Sequence, residues 1–260
     1  MPKDLTKTTA DVPATIDWSQ DLGHGHEFMD AGSTKPPFIS VLQGLSPQCE
    51  RLTGAKPGMF HNSVTDELYT QIRVVQCHFR PVAIRWAPRG QGGGYKGEYS
   101  LELARRGKLP GQLTYEGRWY ADVPAGQIPV DAEGKPKFDH YVQTHIHYFL
   151  VQSASGSWQW AIMPLRSTQL SLSSKMNTAL QLLNVPGVPP GKLPPSYSAH
   201  FLLKTAKVTK ESNSWFVIDP VFEQLVSDPT IIDMARQYYK SVNDGQVVAT
   251  EQPLPEDVGF

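Results

Sequence analysis

Apolar and polar positions alternate over several stretches of this chain and switch to a helical spacing in two others. Residues 71–80 and 82–86 read as strand on either side of a turn at Pro81. Residues 140–152, apolar and aromatic with β-branched side chains, predict the strongest strand. The run 153–156 turns it back into 158–163 as a β-hairpin, which the pattern places in the middle of a sheet. Residues 199–208 and 215–218 predict a second pair, joined through 210–214. Nearer the start, 38–42 is a first strand, and Ser46-Pro47 opens a short polar helix or turn reaching Leu52. Lys56-Pro57-Gly58 marks a tight turn, and 60–69 an irregular hairpin. Helical spacing appears at Met176, Ala179, Leu180 and Leu183, behind a cap at Ser173 or Ser174. A last helix starts at Asp228 with Pro229 in its first position. Its apolar side is Ile232, Ala235, Tyr239 and Val242, and Gly245 lies beyond its end.

Many short strands with two helices imply a mainly β (α+β) fold. The expected form is an elaborated, five-stranded, oligonucleotide-binding (OB-like) antiparallel barrel. A β-sandwich shares the same pattern, because alternation does not separate closure from stacking. The 22 prolines and 21 glycines favour strands and loops over a bundle, and 121–139 reads as a long polar excursion. The expected organisation is a flexible leader over 1–37, one nucleic-acid-binding domain over 38–242 with long insertions, and an acidic tail over 243–260. No apolar run reaches the roughly 20 residues of a membrane span, and 1–17 lacks a signal-peptide core. The expected location is the cytoplasm. Two cysteines, Cys49 and Cys77, are too few for a disulfide framework or a Cys-rich zinc site.

Charge changes the picture in one window. The chain has 24 Lys and Arg against 25 Asp and Glu, yet between Ile72 and Arg118 only Glu98, Glu102 and Glu116 oppose a crowd of cations. Rings alternate with these cations, and a single-stranded nucleic acid needs both, cations for phosphates and rings for unpaired bases. The candidate contacts are Arg73, Arg80, Arg85, Trp86, Arg89, Tyr95, Lys96, Tyr99, Arg118 and Trp119, with Lys204, Lys207 and Trp215 from the second strand pair. Trp158 and Trp160 share one strand face and read as core.

Other chemistry has weaker signatures. No Gly-x-Ser-x-Gly motif is present, and the glycines of 90–94 lack the Gly-Lys-Ser/Thr ending of a phosphate loop. His145 and His147 project from one strand face, with His140 five residues before His145, but no spacing supplies a third metal ligand. No cofactor is implied.

The last ten residues hold Glu251, Glu256 and Asp257, no base, and a terminal Phe260. This tail resembles the C-terminal peptide of bacterial and phage single-stranded-DNA-binding proteins, with Val258-Gly259 in place of the usual apolar-proline pair. Residues 56–65 and 164–170 look like segments of tailed-phage proteins suspected of replication or recombination roles on single strands, a similarity spanning about 38–220. The resemblance implies non-catalytic, largely sequence-independent binding of single-stranded DNA. It implies that Glu256, Asp257 and Phe260 recruit replication partners such as a polymerase, a primase-helicase or a nuclease. Assembly into a homo-oligomer stays open. The alternatives are a metal-dependent β-fold enzyme using His140, His145 and His147, or a phage structural or protein-interaction protein.

Overall fold

A computed structural model describes residues 36–88, 94–247 and 249 of the protein, with 20–21 and 24–25. Most of the leader, Arg89, Glu256, Asp257 and Phe260 lie outside the described residues. In chain order the elements are β1 (Ile39–Val41), α1 (Gln48–Arg51), β2 (Phe60–Asn62), β3 (Leu68–Tyr69), β4 (Ile72–Ala87), β5 (Gly94–Ser100), α2 (Leu101–Arg105), β6 (Gln112–Tyr115) and β7 (Arg118–Ala121). There follow β8 (His140–Gln152), β9 (Trp158–Arg166), α3 (Gln169–Gln181), β10 (Ala199–Lys210), β11 (Asn213–Leu225) and α4 (Pro229–Asn243).

The two long strands β4 and β8 form the axis, antiparallel from Val74↔Val151 to Trp86↔His140. At one end β10 and β11 flank β4 while β9 flanks β8. At the other end β5 flanks β4 while β7 and β6 flank β8. The eight-stranded sheet therefore forks into two halves, β11-β10-β4-β8-β9 and β5-β4-β8-β7-β6, sharing β4 and β8. The turn expected at Pro81 does not form, and β4 runs straight through it. Pro81 falls between Val75, where pairing with β10 ends, and Val82, where pairing with β5 begins. Among the described residues no strand pairs with that flank at Pro81, which is where a proline is tolerated.

Among the described residues the architecture is mainly β with four helices and antiparallel sheets, and no barrel closes. The five-stranded barrel expected from the pattern fails at the outer edge of β11. There Gln43 donates to the Phe216 carbonyl at 2.9 Å and accepts from the Phe216 N–H at 2.8 Å. Gln169 accepts from the Ile218 N–H at 2.9 Å, and Pro220, two residues further on the same edge, has no N–H to offer. Two amide side chains and a proline thus take the place of a closing strand. Gly58, at φ +89°, lies under the same edge, and a Cβ there would sit 2.7 Å from the Phe216 ring.

Side-chain alternation gives the sheet two buried faces. One, with Ile72, Val74, Phe149, Met163, Phe201 and Leu203, packs under α3 and the small sheet β1-β2-β3. The opposite face, with Val75, Ile84, Ile146, Tyr148 and Ile162, packs under α4. A third cluster at the β5–β7 end gathers Ala83, Ala104, Leu109, Ala121 and Tyr141 around α2. The α4 stripe is Ile231, Ala235, Tyr238 and Val242, one residue off the expected set at two places. Adjacent Ile231-Ile232 and Tyr238-Tyr239 make both registers apolar, so the sequence pattern does not choose between them. Asp228 caps this helix as expected, accepting from the Thr230 N–H at 2.8 Å. α3 starts at Gln169, ahead of the expected serine caps, and Ser173 lies fully buried inside it. No helix among the described residues is long and apolar enough to cross a membrane.

Candidate nucleic-acid interface

Folding neutralises much of the cationic window. Arg73 grips Glu223, with Nε–Oε2 at 2.6 Å and Nη2–Oε1 at 3.1 Å. Arg80 pairs with Glu98 at 3.1 Å, and Arg85 with Asp122 and Asp139, both at 2.6 Å. Lys96 reaches Asp139 at 2.9 Å, and Arg118 donates to the Gly134 carbonyl at 3.4 Å. The guanidinium of Arg85 and the ammonium of Lys96 hold the Asp139 carboxyl below its usual range, against the upward push of burial. Asp122, Asp139 and Glu223 lie outside the cationic window, so counting acids within it misjudges its net charge.

Several rings expected to stack on bases are core. Trp86 is 3% exposed, beneath the Arg166 guanidinium at 5.5 Å and edge-on to Tyr95. Trp215 is buried, its indole N–H donating to Thr168 Oγ1 at 3.1 Å. Trp119 and Tyr99 are half-buried against the third cluster, and Tyr99 stands edge-on to Tyr141. Lys204 and Lys207 are exposed on β10.

The aromatic surface lies elsewhere, on β9. Trp160 stacks flat on Tyr238 of α4, with ring centroids 5.0 Å apart and planes 2° apart, yet remains 40% exposed. One face of the indole is backed and the other is offered to solvent. Trp158, two residues away on the same face, is half-buried against His200 at 5.4 Å. Register then carries a row of side chains across the sheet from Trp158. Gln152 is its partner on β8, and Arg73 on β4 donates to Gln152 Oε1 at 3.1 Å. Leu202 on β10 pairs with Arg73, and Val221 on β11 pairs with Leu202. Five strands at the usual spacing make a track of about 19 Å. It has rings at one end and an arginine, 42% exposed, at its centre. Lys204 lies one step further along β10 on the same face. Of the expected contacts, the fold thus brings Arg73 and Lys204 together on one face, leaves Arg80 further along that face on Glu98, and disperses Arg85, Lys96 and Arg118. Trp158 and Trp160 were readable from their i, i+2 spacing, but not as surface residues.

Residues 6–248 match the Pam3 phage gp34-like protein family. The chain belongs to that family. It is therefore a phage protein. No curated protein and no solved structure matches it.

In this gp34-like chain the histidines do not converge. Alternation along β8 puts His140 on the face opposite His145 and His147. The latter two are wired into a buried chain. Gln76 Nε2 donates to Asn177 Oδ1 at 3.1 Å, so Gln76 Oε1 accepts from His147 Nδ1–H at 2.6 Å. His147 Nε2 then accepts from the Ser173 hydroxyl at 2.7 Å, and Ser173 Oγ accepts from His145 Nδ1–H, also at 2.7 Å. This direction of donors leaves both imidazoles neutral. Burial pushes the His147 pKa down to about 3, and His145 is lowered in the same way.

Proposed function

We propose that this phage protein binds single-stranded DNA, without catalysis and largely without sequence choice, in phage DNA replication or recombination. The observation that supports the reading best is Trp160, held rigidly on Tyr238 with its other face exposed. A backed ring loses little conformational freedom when a base stacks on it, and such stacks contribute about 1–3 kcal/mol each. Trp158 beside it and Arg73 across the track supply a second ring and a cation for phosphate. Lys204 extends the positive charge.

The terminal Glu256, Asp257 and Phe260 serve in this reading to recruit a replication protein, by capture of an acidic, aromatic-ended peptide. Phe260→Ala is expected to abolish that recruitment while leaving DNA affinity nearly unchanged, as measured by pull-down against phage or host replication proteins. Retained recruitment would remove the tail from the proposal.

The binding reading is tested by titrating a fluorescent, unstructured oligonucleotide and a duplex of equal length over a range of salt. Single-strand affinity is expected to exceed duplex affinity and to fall log-linearly with salt. Equal affinity for the two, or none for either, would reject it.

A further inference from the structure

We infer that Glu223 is a built-in competitor for the DNA phosphate at Arg73, so that this one carboxylate sets the affinity and salt dependence of strand binding. The inference rests on the single-strand-binding reading above. The two Nε–Oε2 and Nη2–Oε1 contacts form the bidentate fork that a guanidinium also offers a phosphate. Its third nitrogen, Nη1, donates to Gln152, whose partner across the strands is Trp158. The arginine therefore sits on the track beside the rings.

The position of Glu223 is a feature of the strand rather than of a loop. His200 pairs with Gln224 and Phe201 with Phe222, which leaves Glu223 as the extra residue of a β-bulge. A bulge re-aims a side chain, and this one aims a carboxylate at the arginine two strands away. The pair also reaches solvent, at 42% and 23% side-chain exposure. By contrast, the ion pair of Arg85 and Asp139 is more enclosed, at 16% and 10% side-chain exposure. An accessible ion pair is weak enough for a phosphate to displace. Once displaced, Glu223 repels the strand that replaced it.

The test measures oligonucleotide affinity against salt for the wild type, Glu223→Gln, Glu223→Gln with Arg73→Gln, and Glu133→Gln as an exposed-acid control away from the track. Glu223→Gln is expected to tighten binding about two- to fivefold at low salt, the scale of one accessible ion pair. Its log–log salt slope should steepen by about 0.7, one further phosphate contact on a single strand. Both gains should vanish when Arg73→Gln is added, and Glu133→Gln should give neither. A wild type that binds while Glu223→Gln binds no tighter overturns the inference and leaves the binding reading standing. An equal gain from Glu133→Gln does the same. No binding by any of the four proteins removes the reading and the inference together. Should Glu223→Gln melt early, Glu223→Ser applies the same test.

Discussion

At the scale of single residues, burial separates rings that look alike in the sequence. Trp86 and Trp160 each follow a polar residue and precede an alanine, yet one lies within a core cluster and the other lies on a tyrosine with its outer face open. Trp86→Ala is expected to cost about 3–5 kcal/mol of stability, measured by urea unfolding. An unchanged midpoint would contradict its place in the core. The buried chain gives a pH test. His147 has a pKa near 3 in the fold, against 6.5 in an open chain. Between those values the unfolded chain takes up a proton that the native protein refuses. Stability should therefore hold above pH 6.5 and fall as the pH drops below it. The expected slope from this group is about 1.4 kcal/mol per pH unit, and the lowered His145 adds to it. Unfolding of His147→Gln should show a visibly shallower decline from pH 6.5 to 4. An identical decline would place the sensitivity elsewhere.

At the scale of elements, the long strands were legible, and the short ones and their surroundings were not. Alternation located β4, β8, β9 and the β10–β11 pair, because each buries one or both faces and so keeps an apolar period. It missed β5, β6 and β7 and the five-residue helix α2, and it broke β4 in two at a proline tolerated beside an unpaired flank. The finish of β11 was beyond sequence reading, since Gln43 and Gln169 lie far from it along the chain. Replacing both by alanine should cost about 1 kcal/mol for each lost hydrogen bond. It should also free two strand amides for edge-to-edge pairing, seen as concentration-dependent association in sedimentation. A variant that stays as monodisperse as the wild type would show that the edge is protected by something else.

At the scale of the whole molecule, a mainly β chain was readable, whereas closure was not. Whether a sheet closes depends on which edges meet, and here side-chain amides end the ladder at β11. The cationic window has the same limit, because its partners Asp122, Asp139 and Glu223 arrive from other strands and loops. What remains for the proposed single strand is a track from Trp158 and Trp160 past Arg73 to Val221, assembled by strand register rather than by neighbours in sequence. The most direct measurement is a titration of an unstructured oligonucleotide against the wild type and Trp160→Ala, with melting curves of both. Affinity is expected to fall by about 1–3 kcal/mol, the contribution of one base stack, with little change in melting temperature. Wild-type affinity in Trp160→Ala would contradict that expectation.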